Sequence, residues 1–170
     1  KSGPRPGVLV VHEFWGLNDY ARGRADQLAK LGYIAFCADM YGDGKQANHP
    51  KEAGMFAAMV NKSKGLSEAR FNAAADFLKK QPQTDATRLA AIGYCFGGGV
   101  VLNMARSGAD LKGVASFHGS LATDTPAAPG AIKAKIFVAN GAADSFIPPE
   151  VVGTFASEMA KAEADFRFFN

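Results

Sequence analysis

Val8-Leu9-Val10-Val11 is a continuous, mostly β-branched run with no polar position. A run of this kind predicts a strand buried on both faces, as in a parallel sheet. Ala21, Ala25, Leu28 and Leu31 then recur every three or four residues, which predicts a helix capped by Asn18 or Asp19. Gly32 suits the left-handed position just past its end. Tyr33 to Ala38 reads as a second strand, and Asp39 to Pro50, polar and glycine-rich, as a loop. A helix is expected over about 51–61. A further helix is expected to start at an N-cap Ser67, stapled by Leu66 and Phe71, and to end before Pro82. Leu89 to Tyr94 is the third strand, followed by Gly97 to Gly99 and a helix through about Ser107. Strands are predicted at 114–117, 135–139 and 166–169. A helix over 149–161 has Val152, Phe155 and Met159 in register.

This alternation predicts an α/β fold, a three-layer sandwich with a mostly parallel sheet flanked by helices. The 170 residues, 48% of them hydrophobic, fit a single domain over 1–170 with a sizeable core. No apolar run approaches the ~20 residues of a membrane span, so no membrane partner is expected. Two cysteines, at 37 and 95, make no disulfide framework and no metal-binding spacing. The net charge of +3 comes from scattered residues (Lys1, Arg5, Arg22, Arg24, Lys30), a solvated surface rather than a nucleic-acid site. The chain starts six residues before an apolar run and stops directly after Phe166–Phe169, so truncation at one or both ends is expected. A cytoplasmic monomer is the default expectation.

Candidate chemistry concentrates at Gly93-Tyr94-Cys95-Phe96-Gly97, a G-x-C-x-G between a predicted strand and a predicted helix. That is the setting of a nucleophile elbow. Side chains two before and two after the nucleophile would collide with the neighbouring strand and helix. Cys95 would stand at a helix N-terminus, where unpaired N–H groups and the macrodipole favour a thiolate. The Phe96 N–H would point at a developing oxyanion. The bland alternative is a structural cysteine in a glycine-rich turn. Asp144 follows strand 135–139, so its carboxylate faces the same sheet edge, where it could orient an imidazole or serve an ordinary turn. Phosphate-loop spacings are missing.

Three segments together resemble the dienelactone hydrolase family of α/β-hydrolases: Val11-His12-Glu13-Phe14-Trp15-Gly16, Gly93-Tyr94-Cys95-Phe96-Gly97-Gly98, and Asn140-Gly141-Ala142-Ala143-Asp144-Ser145-Phe146-Ile147-Pro148. The resemblance implies hydrolysis of small-molecule esters or lactones without a cofactor. It implies Cys95 as nucleophile, Asp144 as triad acid and Glu13 as a carboxylate governing when Cys95 ionises. It also implies the Phe14 amide as second oxyanion donor. The family's histidine lies on a loop after the strand at 166–169, so the triad base is expected downstream of this chain. Of the three histidines present, His12 orients the Glu13 loop, His49 is solvated, and His118 lines the substrate pocket in preference to serving as base; the alternative to a downstream histidine is a protein that has lost its base. Trp15 is expected to pack on substrate or, equally, against protein alone, Cys37 in the core, Tyr41 at the pocket rim, and Asp39 at that rim or in a turn. The arginines with which the family's founding members hold a substrate carboxylate find no match. The competing reading is a non-catalytic or redox-sensing protein with a reactive Cys95.

Overall fold

The computed structural model describes residues 3–170, so Lys1 lies outside the described residues. The elements are β1 (Arg5–Val11), α1 (Asp19–Lys30), β2 (Ile34–Ala38), α2 (Pro50–Lys62) and α3 (Leu66–Lys79). They continue as β3 (Thr84–Tyr94), α4 (Phe96–Arg106), β4 (Gly113–Phe117), β5 (Lys135–Ala139), α5 (Pro149–Lys161) and β6 (Phe166–Phe169). The six strands form one sheet in the order β2-β1-β3-β4-β5-β6, and every neighbouring pair is parallel. This is the α/β-hydrolase sandwich, with the sheet between helical layers.

Strand order reverses at β1: the chain first steps to β2, then crosses back to β3 on the other side. Right-handed crossovers therefore place α1 on one face and α3, α4 and α5 on the other. The carboxyl ends of β1 and β3 flank the crevice that such a reversal opens. β1 is buried on both sides, with Leu9, Val10 and Val11 fully enclosed and Val8 nearly so, as its unbroken apolar run requires.

Asn18 caps α1 by accepting the Ala21 N–H, and Gly32 takes φ +101° just past its end. Two sequence expectations shift. The start of α3 is not capped by Ser67: Gly65, at φ +74°, turns the chain two residues earlier and no side chain caps the helix. Glycine tolerates that left-handed turn without a Cβ clash, and Ser67 falls in the first turn. β3 begins at Thr84 rather than Leu89, because Arg5 and Pro6 pair with Thr84 and Asp85 before a register shift at Gly7.

Arg106, buried at the end of α4, ties the layers near the site. Its Nη2 donates 2.8 Å to Glu158 on α5 and 2.7 Å to the Leu121 carbonyl, and its Nη1 donates to Asn103. This clamp holds the segment after β4, which carries His118 and Ser120.

Candidate active site

Cys95 sits between the last residue of β3 and the first of α4, at φ +52°. A positive φ is strained for a residue with a Cβ, and such strain gathers at functional turns. The Cys95 N–H donates 2.9 Å to the Phe117 carbonyl, pinning the turn to β4. Glycines make the turn possible. A Cβ on Gly93 would lie 2.1 Å from the Gly97 carbonyl oxygen, and one on Gly97 would lie 2.3 Å from the Val11 carbonyl oxygen. A Cβ on Gly98 would lie 2.7 Å from the Gly119 Cα. The helix start thus rests on the end of β1 and on the segment after β4 with no room between.

Glu13, Cys95, His118 and Asp144 follow β1, β3, β4 and β5 respectively, so all four stand at the carboxyl edge of one parallel sheet. The backbone N–H groups of Phe96 and Phe14 both face the Cys95 sulfur. Burial pushes the Cys95 thiol up, the two N–H groups pull it down, and the carboxylates of Glu13 and Asp144 push it up again. The net direction is upward, toward a neutral thiol. The thiolate expected from the helix N-terminus alone is therefore corrected: partial burial beside two carboxylates outweighs two peptide dipoles.

Asp144 is fixed from two sides. Its Oδ1 accepts the Phe146 N–H at 2.9 Å, and its Oδ2 meets Nδ1 of His118. The Phe146 N–H first, then His118, hold the Asp144 carboxyl below the usual carboxylate range. His118 itself has φ +54°, and its N–H donates to the Ala139 carbonyl. The sequence places His118 at the pocket but gives no sign that it reaches Asp144, whose imidazole was expected from later in the chain.

The loop bearing Glu13 and Phe14 is braced from beneath. His12 is fully buried; its Nδ1 lies 2.6 Å from the Glu13 carbonyl and its Nε2 accepts the Met40 N–H at 3.1 Å. Those partners fix one neutral tautomer, and burial lowers the ring's pKa. The Tyr41 hydroxyl donates 2.8 Å to the Phe14 carbonyl, and burial pushes the phenol up. Tyr41 is thus enclosed rather than at a rim, and Asp39 is a turn residue accepting the N–H groups of Tyr41, Gly42 and Gly44. His49 caps α2 by accepting the Lys51 N–H, and Cys37 donates its thiol to the Ala21 carbonyl from within β2.

A cavity of about 470 Å³ opens over Cys95, lined by Phe14, Cys95, Phe96, His118, Ser120, Phe146 and Ile147. Trp15, expected to pack on substrate or on protein, is not in its wall; its ring packs on Phe14 at 4.4 Å and Phe14 takes the wall position. Ser120, Phe146 and Ile147 went unassigned by sequence reasoning. The signal for two of them was present, since Phe146 and Ile147 belong to the segment carrying Asp144.

The dienelactone hydrolase family model matches residues 1–170. Protein usf of Aquifex pyrophilus is 30% identical over 166 residues, covering 95% of this chain and 71% of that protein. A Methylorubrum extorquens protein named "Putative carboxymethylenebutenolidase" is 28% identical over 160 residues, 87% of this chain but only 54% of its own length. The chain thus spans about half to seven-tenths of these relatives. Among solved structures, "m3DLH" superposes with a TM-score of 0.91 at 38% identity, covering 100% of this chain and 71% of the other. A dienelactone hydrolase-like promiscuous phosphotriesterase from metagenomic libraries gives 0.89 at 36% identity, covering 99% and 70%.

Proposed function

Since the chain belongs to the dienelactone hydrolase family, we propose that it cleaves ester or lactone bonds of small molecules through a thioester on Cys95. The observation that carries this reading is the strained Cys95 turn at φ +52°, where the Phe96 N–H at the start of α4 and the Phe14 N–H in the loop after β1 both lie close to the sulfur. Donors in that arrangement are already in place for the charge that develops when sulfur attacks a carbonyl beside them.

The resting thiol is neutral, kept so by burial and by Glu13 and Asp144. An imidazole oriented by Asp144 takes the thiol proton as the sulfur bonds to the carbonyl carbon. The carbonyl oxygen becomes an oxyanion between the two N–H donors. The carbon–oxygen bond to the alcohol breaks, and the imidazolium gives its proton to the leaving oxygen. Water, losing a proton to the same imidazole, then attacks the thioester; the carbon–sulfur bond breaks, the acid departs and the thiol is restored. Glu13 guards the thiol, because a carboxylate beside it disfavours ionisation until substrate alters the balance.

The resemblance assigns the imidazole to a histidine downstream of β6. A second reading has a specific observation behind it: His118 already meets Asp144 and lines the cavity with Cys95. In a protein that includes the segment after β6, His118→Asn separates them, since the downstream base leaves turnover largely intact and a His118 base loses it. For the main proposal, the test is a chromogenic short-chain ester with mass spectrometry of the quenched reaction. An acyl adduct on Cys95, and loss of turnover in Cys95→Ala, are expected. Unchanged turnover in Cys95→Ala would remove Cys95 as the nucleophile, whereas no turnover in the parent would leave the redox reading.

A further inference from the structure

Beside the cavity over Cys95 lies a second one of about 500 Å³. Phe96 and Ser120 line both, so the two spaces adjoin across the residue whose N–H faces the nucleophile. Their chemistry differs sharply. Over Cys95 the walls are mostly apolar, Phe14, Phe96, Phe146 and Ile147, with the His118 ring and the Ser120 hydroxyl as the polar groups. The neighbouring cleft has an apolar floor of Val60, Val100 and Met104 and a rim of short hydroxyls and amides: Asn61, Ser63 and Ser67 near the α2–α3 turn, Asn103 on α4, and Thr123 and Thr125 after β4.

Charge narrows the choice of occupant. Lys64 is the one cation in the cleft wall, and Glu68 and Asp124 oppose it. No arginine lines either cavity among the described residues. Such a wall does not select a phosphate or a carboxylate, which call for a cationic fork or cluster. It offers many neutral donors and acceptors, the match for a moiety carrying several hydroxyls.

Resting on the thioester reading above, we propose that the substrates are amphiphilic esters: a hydrocarbon acyl group in the apolar cavity and a neutral polyhydroxylated alcohol in the polar cleft. The order of events assigns the two arms. After acylation the acyl group stays on Cys95, where the aromatic walls keep it covered. The alcohol must leave and water must enter, and both do so through a polar passage. Each hydrogen bond that a site makes to a substrate hydroxyl penalises the analogue lacking it, because the site's own groups then lose a partner.

The test is a series of butyrate esters differing only in the alcohol: 1-butyrylglycerol, ethyl butyrate and p-nitrophenyl butyrate, whose activated leaving group needs no cleft. We expect kcat/KM for the glyceryl ester to exceed that for the ethyl ester by about tenfold or more, as one or two net hydrogen bonds supply. Ser67→Leu should collapse that ratio toward one, chiefly by raising KM for the glyceryl ester. Asn61→Leu, at an exposed site on α2, makes the same test if the first variant does not fold. Turnover of p-nitrophenyl butyrate with no glyceryl preference, or a preference untouched in the folded variant, would overturn the cleft assignment and leave the hydrolase intact. Silence toward all three esters, in a protein that includes the segment after β6, would overturn the hydrolase reading itself.

Discussion

Gly97→Ala is the smallest change that tests the elbow. The added methyl carbon would sit 2.3 Å from the Val11 carbonyl oxygen, 2.6 Å from that of His12 and 2.7 Å from the Val11 carbonyl carbon. All three are main-chain atoms, so no side-chain rotation relieves the contact. Real contacts do not fall below 3.0 Å, so the start of α4 and the end of β1 must part by about 0.7 Å. Overpacking of this kind costs roughly 1–3 kcal/mol, which for a chain of this size lowers Tm by roughly 2–12 °C. The two elements that part are those bearing the Phe96 and Phe14 N–H groups. A misplacement near 1 Å costs on the order of 100-fold in rate, so kcat/KM should fall by about that much in a variant still folded at the assay temperature. Gly153→Ala is the matched control: on α5, its added methyl meets nothing within 4 Å. It should stabilise by up to about 1 kcal/mol through helix propensity. Differential scanning calorimetry and ester kinetics on both variants decide the matter. A Gly97→Ala protein with parental Tm and parental kcat/KM would refute the interlock described for this turn.

Alkylation of Cys95 by iodoacetamide should accelerate with pH through a midpoint above that of a free cysteine, since burial raises the thiol pKa; Glu13→Gln should move the midpoint down, and a parental midpoint below free cysteine would contradict the described electrostatics. Arg106→Met should cost about 1–3 kcal/mol by denaturant unfolding, because it removes the guanidinium from the partly enclosed Glu158 carboxylate, which then keeps only the Ala127 N–H. Burial alone would push Glu158 up, but Arg106 holds it below the usual carboxylate range. Its contribution is therefore full at neutral pH and is lost as pH falls through that depressed value, so the variant's deficit should shrink in acid. Tyr41→Phe should cost about 1–3 kcal/mol by leaving the Phe14 carbonyl without its donor, and a Tm unchanged from the parent would show that this bond carries no weight.

What the sequence made legible was whatever depends on short-range pattern. The unbroken run at Val8–Val11, the register of Val152, Phe155 and Met159, and the strands at 135–139 and 166–169 match the structure because period and burial agree there. The elbow was legible because only small residues fit where main chains touch. Thr84 to Arg88 carries no apolar alternation, so its pairing with β1 is set by the neighbouring strand and is invisible along the chain. Around Cys95 the helix N-terminus and the Glu13 carboxylate could be read from the sequence, whereas burial and the approach of Asp144, 49 positions away, could not. For the same reason His118 could be set at the pocket but not on Asp144. Tyr41 could be placed near the site, yet its bond to Phe14 spans 27 positions.

The packing of Trp15 on Phe14 has an optical consequence. The chain contains one tryptophan. Its ring leans on Phe14 at 4.4 Å, and its carbonyl accepts the Ala47 N–H at 3.0 Å, so it moves with the loop that supplies an N–H to the sulfur. Excited at wavelengths that only indole absorbs, the whole protein emits from a single point one residue away from that donor. Changes in emission intensity or colour therefore report this loop with no background from elsewhere in the chain. The proposed acylation of Cys95, and its reversal by water, should be visible in real time with unlabelled protein and colourless esters.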